Sequence, residues 1–242
     1  MIIYEKTKAL TDKPFSYCPG CTHGIIHKLI GECLTELNVL DKTIAIASVG
    51  CSVLAYEYFN CDVIQAAHGR APAVATGVKR TRPDKIVFTY QGDGDLAAIG
   101  TAEIIHAAHR GENISVIFVN NAIYGMTGGQ MAPTTLTDMK TGTSPRGRQK
   151  SSGSPLKISE ILAQIPDVAY IERVSCHNIT HIRKTKKAIK KAFEYQIEGK
   201  GFSMAEILST CPVGWGKSPV NAPGFIENNM IPYFPLGIYK DL

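Results

Sequence analysis

The sequence has no long hydrophobic run. No stretch of about eighteen apolar residues, the minimum for a membrane-spanning helix, occurs in its 242 residues. Its start, Met1-Ile2-Ile3-Tyr4-Glu5-Lys6, has none of the basic-then-apolar pattern of a secretory signal peptide. We therefore expect a cytoplasmic protein that neither crosses nor binds a membrane.

The charge is also nearly balanced, with 26 basic and 21 acidic residues and a formal net charge of +5. Much of the positive charge lies in one short run: Arg183, Lys184, Lys186, Lys187, Lys190 and Lys191. A nucleic-acid site would favour aromatic residues between the basic ones, and none is present here. Apolar residues instead recur among the basic residues at helical spacing. The run predicts the solvated face of an amphipathic helix, and we expect no nucleic-acid partner.

The sequence has no Gly-x-Gly-x-x-Gly after a strand, which argues against a dinucleotide site, and no internal repeat or convincing domain boundary. A single domain over 1–242 buries enough surface to need no disulfides. Its seven cysteines are therefore surplus to folding. In a reducing cytoplasm we expect them to be ligands or buried thiols.

Apolar periodicity predicts an α/β fold. Helical spacing covers 22–37 and 96–109. Apolar runs at 44–47, 86–90 and 114–119 predict buried strands, 168–171 is a further apolar stretch, and 202–208 is strand-like. The strand, helix and strand between 86 and 119 predict a parallel sheet with a right-handed crossover and a ligand site at the carboxyl ends of its strands. The long aperiodic stretch 127–156 predicts a functional or disordered loop, and the proline-rich tail from about 212 to 242 an irregular segment.

The most informative motif is Gly92-Asp93-Gly94-Asp95, directly after a predicted strand, with Asn121 directly after the next. Glycines let the backbone approach a bulky anion, and the following helix offers free amides to phosphate. An aspartate would repel a bare phosphate unless a divalent cation lies between them. Asp93 and Asn121 therefore predict a Mg²⁺ site that bridges a diphosphate, with a calcium loop or a simple tight turn as the alternatives.

Four cysteines occupy loop positions that suit a metal centre. Cys18 and Cys21 form a C-x-x-C turn, Cys51 follows the first strand, and Cys211 follows the last predicted strand. Four thiolates suit zinc or an iron-sulfur cluster, and spacing alone leaves both open. We expect the remaining three cysteines to be buried free thiols: Cys33, Cys61 and Cys176.

The Gly-Asp-Gly turn resembles the signature of thiamine diphosphate enzymes, in which Asn-Asn follows at a set distance; here 25 residues separate Gly94 from Asn120. The resemblance implies that the side chains of Asp93 and Asn121 and the carbonyl of Ile123 ligate Mg²⁺. The other cofactor-binding residues that it implies are Gly92, Gly94, Asp95, Gly125, Met126, Thr127 and Cys51.

The thiamine signature and the cysteines together resemble the β subunit of a 2-oxoacid:ferredoxin oxidoreductase. The matching segments are 17–24, 49–52, 68–71, 92–95 and 121–135. The resemblance implies a thiamine diphosphate-binding fold, mostly a parallel sheet with helices on both faces, with a cluster-binding segment at about 14–52. It also implies that Cys18, Cys21, Cys51 and Cys211 hold a 4Fe-4S cluster close to the thiamine ring.

The activity that the resemblance implies is coenzyme A-dependent oxidative decarboxylation of a 2-oxo acid to acyl-CoA, CO₂ and reduced ferredoxin. The chain is expected to be active only with an α subunit that supplies the activating glutamate, alongside γ and ferredoxin-like δ subunits and an external ferredoxin. The run 51–59 is apolar and offers no cation for a second carboxylate. This favours branched-chain 2-oxoisovalerate over 2-oxoglutarate, and a 2-oxoglutarate- or pyruvate-specific member of the family is the alternative. A more distant alternative is a non-oxidative thiamine-dependent decarboxylase with structural zinc.

His68 and Arg70, just before a helix that begins near Pro72, are candidate catalytic residues that contact the cofactor or a substrate carboxylate. The alternative for both is a structural role at the helix start. His23 and His27 have a spacing that can bind metal, but beside Cys18 and Cys21 a supporting role is the better interpretation. Thr22 stands where the family more often has glycine, which should be tolerable.

Overall fold

Among the residues that the structure describes, seven strands form one sheet. The structure is a computed structural model that describes residues 5–242, so most of the chain start discussed above, 1–4, lies outside the described residues. The strands are β1 (Thr43–Ala47), β2 (Asp62–Gln65), β3 (Ile86–Gly92), β4 (Ser115–Asn120), β5 (Val168–Ser175), β6 (Phe202–Leu208) and β7 (Gly237–Asp241). Their spatial order is β2-β1-β3-β4-β6-β5-β7, and all neighbours are parallel except β5 and β7.

The helices lie mainly between successive strands. They are α1 (His23–Glu36), α2 (Ala55–Tyr58), α3 (Ala71–Thr81), α4 (Thr101–His109), α5 (Ile158–Ala163), α6 (Ile179–Ile197), α7 (Ala222–Phe225) and α8 (Ile231–Tyr233). Two π-helical segments cover Asp95–Ile99 and Ile226–Met230. The predicted helix 96–109 is thus split at Gly100, whose backbone packs directly against that of Gly69.

Helices cover both faces of the sheet, as expected. Side chains alternate along β3, where Phe88 faces the core beneath α1 and α6 and Val87 faces the core beneath α3, α4 and α5. The central strands β1, β4 and β6 are buried along their whole length. This burial explains why they are near-continuous apolar runs rather than alternating ones.

The two edge strands were not predicted. β2 carries polar or charged residues at both ends, Asp62 and Gln65, and three of its four residues are exposed. β7 belongs to the tail that the sequence predicts to be irregular. It pairs antiparallel with β5, and the helical turns before it pack Ile226, Met230 and Phe234 into a small core. The tail is therefore more regular than expected.

The basic run lies on α6, as predicted. Ile189 and Phe193 are fully buried, while Lys186 pairs with Glu32 and Glu36 on α1, and Lys191 pairs with Asp241 on β7. Much of the local positive charge is therefore balanced within the chain. Within residues 5–242, no helix is both long and apolar enough to cross a membrane.

The three cysteines predicted to be core thiols differ in exposure. Cys33 and Cys176 are buried at 0% and 3% exposure, in agreement with the prediction. Cys61 precedes the edge strand β2 and is partly exposed, so full burial was wrong for this residue. Its thiol nevertheless packs against the core beneath α1, and burial raises its pKa to about 12.

Candidate functional site

The loops that follow the parallel strands meet at one edge of the sheet and line a cleft. Because parallel strands end at the same edge, segments distant in sequence converge there. The lining residues are 49–52 after β1, His68 after β2, 92–95 at the end of β3, Asn121 and 123–127 after β4, and His23 on α1. The Gly-Asp-Gly turn, the paired-asparagine segment and one candidate cluster cysteine thus share a single cleft.

Asp93 is a buried carboxylate at the wall of this cleft, with 2% exposure. Its Oδ1 accepts the backbone N–H of Gly94 at 2.9 Å, and its Oδ2 accepts the hydroxyl of Thr134. Burial raises the pKa of Asp93 to about 7, although these hydrogen bonds oppose the shift. A carboxylate that is so strongly desolvated at the wall of a cleft is suited to bind a divalent cation.

Asn121 and Ile123 line the same cleft as Asp93. The Asn121 side-chain oxygen accepts the N–H of Ile123 at 3.1 Å, and Ala122 between them has a positive φ of 59°. The backbone carbonyl of Asn121 accepts the indole N–H of Trp215 at 2.9 Å. The structure therefore brings the three predicted Mg²⁺ ligands together, and their carboxylate, amide and carbonyl oxygens suit that ion.

Tyr124 is a site residue that the sequence predictions missed. Its ring covers Gly94 so closely that a Cβ on Gly94 would lie 2.2 Å from a ring carbon, and its hydroxyl donates to the Gly94 carbonyl at 3.0 Å. Only glycine fits beneath this ring. A Cβ on Gly92 would meet nothing within 4 Å, so that glycine borders open space.

Asp95 accepts hydrogen bonds from the ends of three neighbouring strands and loops. Its Oδ1 accepts Ser48 Oγ at 2.7 Å, Gly69 N–H at 2.7 Å and His68 Nδ1 at 2.5 Å, and its Oδ2 accepts Gln91 Nε2 at 2.6 Å. Four donors therefore surround this one buried carboxyl group. Asp95 therefore supports the cleft and fixes the ring of His68.

The two predicted catalytic residues go to different places. His68 lines the cleft, with a side chain that is 33% exposed. Arg70 occupies the N-cap position of α3 without a capping side-chain hydrogen bond, is exposed, and forms an ion pair with Glu103 on α4. The structure thus brings His68 to the site and directs Arg70 to a neighbouring helix.

The four candidate cluster cysteines lie in adjoining loops. A Cβ on Gly125 would lie 3.1 Å from the sulfur of Cys211 and 3.7 Å from that of Cys51. Burial raises the pKa of Cys21 to about 12, and repulsion from Cys18, Cys51 and Cys211 adds to this shift. The negatively charged thiolate forms of these cysteines would repel one another, so a shared cationic group would be needed to hold them as thiolates. Among the Cys, His, Asp and Glu side chains of residues 5–242, no group of three or more lies close enough together to hold a single metal ion.

Thr22 links the two cysteine loops. Its hydroxyl shares a hydrogen bond of 2.6 Å with Ser209 Oγ and accepts the N–H of Thr210 at 3.2 Å. The Thr210 hydroxyl in turn donates to the Gly20 carbonyl at 2.6 Å. The threonine that departs from the family pattern is thus accommodated, and it ties the C-x-x-C turn to the loop of Cys211.

His23 and His27 occupy a buried aromatic cluster beside these cysteines. His23 Nδ1 bonds to the hydroxyl of Tyr90 at 2.5 Å, and His27 Nε2 bonds to that of Tyr17 at 2.8 Å. Burial lowers the pKa of His23 to about 4 and that of His27 well below its ordinary value. These contacts agree with a supporting role, although His23 also reaches the cleft wall, which helical spacing alone did not indicate.

Comparison with known proteins identifies the family. A family model described as the C-terminal TPP binding domain of thiamine pyrophosphate enzymes matches residues 48–207. The chain is 47% identical over 240 residues to ketoisovalerate oxidoreductase subunit VorA of Methanothermobacter thermautotrophicus, covering 99% of this chain and 50% of VorA. It is 37% identical over 225 residues to 2-oxoglutarate synthase subunit KorB of Methanocaldococcus jannaschii, covering 90% of this chain and 79% of KorB.

A solved structure agrees with these relatives. The 2-oxoglutarate:ferredoxin oxidoreductase from Magnetococcus marinus, with 2-oxoglutarate, coenzyme A and succinyl-CoA bound, is 25% identical with a TM-score of 0.80. The match covers 100% of this chain and 86% of that chain, whereas this chain spans about half the length of VorA. The resemblance noted from the sequence is confirmed: the chain belongs to the thiamine diphosphate-binding subunits of the 2-oxoacid:ferredoxin oxidoreductase family.

Proposed function

We propose that the chain binds thiamine diphosphate through Mg²⁺ and holds a 4Fe-4S cluster beside it. The observation that carries this proposal is the surroundings of Gly125. This residue lies in the cleft with Asp93 and Asn121, and the sulfurs of Cys51 and Cys211 lie directly against it. Electron transfer between two cofactors requires such proximity, whereas a structural zinc site does not need to adjoin the cleft.

In this proposal each group of residues has a separate task. Asp93 and Asn121 provide side-chain oxygens and Ile123 a carbonyl oxygen to Mg²⁺. The four thiolates of Cys18, Cys21, Cys51 and Cys211 hold the cluster. When bound, thiamine diphosphate supplies the electron sink for loss of CO₂ from a 2-oxo acid, and the cluster accepts single electrons.

His68 is the proposed contact for the substrate or cofactor in the cleft. Asp95 Oδ1 accepts a hydrogen bond from His68 Nδ1, which fixes the ring orientation and leaves Nε2 for the cleft. Nε2 accepts a proton when the ring is neutral and donates one to a carboxylate when the ring is charged. Arg70 is engaged by Glu103, so we assign it a structural role at the start of α3.

We further propose that the reaction is coenzyme A-dependent oxidative decarboxylation and needs a partner chain. Among the described residues that line the cleft there is no glutamate to activate thiamine. In VorA the matched region covers 50% of the protein, so about half of that protein lies outside the match. An α subunit that supplies this glutamate, γ and δ subunits and an external ferredoxin are the partners that the family suggests.

The proposed substrate is a branched-chain 2-oxo acid such as 2-oxoisovalerate. Among the lining residues that the structure describes there is no lysine or arginine, so a second carboxylate like that of 2-oxoglutarate has no obvious cation. The 47% identity to a ketoisovalerate oxidoreductase subunit, against 37% to a 2-oxoglutarate synthase subunit, also favours this substrate.

Two preparations test these proposals. The chain purified alone without oxygen is analysed for iron, sulfide and zinc, because a ferredoxin-like partner would add iron of its own. The chain purified together with its partners is analysed for thiamine diphosphate and assayed for coenzyme A-dependent dye reduction with a panel of 2-oxo acids. We expect iron and sulfide in equal amounts and the highest kcat/KM with 2-oxoisovalerate. One zinc per chain without iron or sulfide would overturn the cluster. A preference for 2-oxoglutarate or pyruvate would overturn only the substrate.

A further inference from the structure

The loop 127–156 contains a buried arginine whose bonds are all to backbone. Arg148 is 5% exposed, and no carboxylate of the described chain forms an ion pair with it. Its Nη1 donates to the carbonyls of Ala132, Pro133 and Thr135 at 2.9 to 3.0 Å. The remaining donors bind the carbonyls of Ser152, Gly153 and Ser154 at 2.9 to 3.3 Å.

This guanidinium joins two segments that are distant within the loop. One segment is 132–135, here called the Thr134 turn, and the other is 152–154. A guanidinium can do this because its donors project in several fixed directions in one plane. All of its donor nitrogens are engaged by carbonyls, so Arg148 has none left for a substrate or phosphate. Its contribution must therefore come through the segments that it holds.

The Thr134 turn contacts both sides of the candidate Mg²⁺ site. Thr134 is fully buried, and its hydroxyl donates to Asp93 Oδ2. The hydroxyl of Thr135 donates at 2.6 Å to the carbonyl of Ala122, the residue between Asn121 and Ile123. The turn thus fixes one oxygen of the carboxylate and the backbone that carries the other two proposed ligands.

We propose that Arg148 and Thr134 are positioning residues that set the metal affinity of the site: Arg148 fixes the Thr134 turn, and Thr134 orients the Asp93 carboxylate toward Mg²⁺. The inference rests on the proposed function, because it assumes that Asp93 ligates Mg²⁺. With Oδ2 held by the Thr134 hydroxyl and Oδ1 by the Gly94 N–H, the carboxylate has one fixed orientation at the cleft wall. Partners of this kind, which orient a ligand without touching the metal, commonly change metal affinity by about 10–100-fold.

The test uses the chain purified with its partners, from which Mg²⁺ and thiamine diphosphate have been removed. Thiamine diphosphate binding is measured by calorimetry as a function of Mg²⁺ concentration in wild type, Thr134→Val, Arg148→Lys and the double variant. Arg146→Lys is the matched control, because Arg146 is exposed in the same loop. We expect the half-saturating Mg²⁺ concentration to rise about tenfold or more in both single variants and to stay unchanged in Arg146→Lys. Excess Mg²⁺ should restore the affinity for thiamine diphosphate.

The double variant tests whether Arg148 acts through Thr134 or whether the two substitutions disturb packing independently. If Arg148 acts through Thr134, the double variant needs no more Mg²⁺ than the weaker-binding single variant, whereas independent defects would multiply. If the increases in the half-saturating Mg²⁺ concentration multiply, Arg148 does not act through Thr134 and the inference is overturned. A variant that is already unfolded when Mg²⁺ is absent has lost its fold rather than its metal affinity. If Arg148→Lys fails in this way, Thr134→Val decides, and a wild-type Mg²⁺ requirement in that variant refutes the inference.

A last comparison distinguishes this inference from the proposed function. If Asp93→Ala abolishes binding while Thr134→Val and Arg148→Lys bind like wild type, the positioning role is wrong and the Mg²⁺ site stands. If wild type itself shows no Mg²⁺-dependent binding of thiamine diphosphate, both are wrong.

Discussion

Replacement of Asp93 by asparagine should stabilise the cofactor-free chain while removing its cofactor binding. Asp93 is buried, and its pKa rises from 3.8 to about 7 because burial penalises the charged form. Between these two pH values the folded chain holds a proton that the unfolded chain releases. Wild-type stability is therefore greatest below about pH 4 as far as this group is concerned, and it falls as the pH rises toward 7.

The size of the effect follows from the pKa shift. A shift of about three units corresponds to about 4 kcal/mol of stability lost by pH 8. Asparagine does not ionise, so it avoids this loss, but it forfeits about 1–2 kcal/mol because its amide cannot accept from both Thr134 and Gly94. We expect Asp93→Asn to be more stable than wild type by about 2–3 kcal/mol at pH 8 and equal within about 1 kcal/mol at pH 5.

Urea unfolding of the metal-free, cofactor-free chain at pH 5 and pH 8 measures this difference. Asp41→Asn is the matched control, because Asp41 is exposed and should respond little at either pH. A variant at Asp93 that is no more stable than wild type at pH 8 would refute the argument, since the carboxylate would then carry no burial penalty. The same variant should not bind thiamine diphosphate with Mg²⁺ in the assembled complex.

Three further outcomes are expected. Gly125→Ala should lower iron content, because its methyl group would lie 3.1 Å from the Cys211 sulfur; Gly77→Ala, which meets nothing within 4 Å, is the control. Trp215→Phe removes the hydrogen bond to the Asn121 carbonyl and should weaken thiamine diphosphate binding about fivefold by calorimetry. Arg173→Met leaves the buried Glu206 carboxylate without its cationic partner, and urea unfolding should show a loss of about 3–5 kcal/mol.

The parts of the fold that were predicted correctly are those whose signal is local. The central strands are buried on both faces, so each is an unbroken apolar run, and the Gly-Asp-Gly turn and the paired asparagines follow such runs directly. The parallel sheet then requires their convergence at one edge. The short edge strands β2 and β7 escaped prediction because partly exposed pairing leaves no apolar run.

The supporting residues of the site could not be predicted, because their roles depend on contacts between distant segments. Nothing near Thr134 in the sequence indicates Asp93, 41 residues away. In the sequence, Arg148 is one of several basic residues in a polar loop. Its burial depends on backbone carbonyls of the same loop that surround its guanidinium only in the folded structure. His68 and Arg70 belong to one local sequence pattern, yet their partners lie far away in the sequence. His68 binds Asp95 at the cleft, and Arg70 pairs with Glu103 outside it.

The hydrogen bonds around Thr22 bear on how the protein matures. They join the turn of Cys18 and Cys21 to the loop of Cys211 through hydroxyl and backbone groups alone, without any contribution from the sulfurs. The two loops are therefore held together by contacts that involve no metal. If the four cysteines hold the proposed cluster, its insertion would fill a framework that already exists, and the chain could fold first and be loaded with iron and sulfide afterwards.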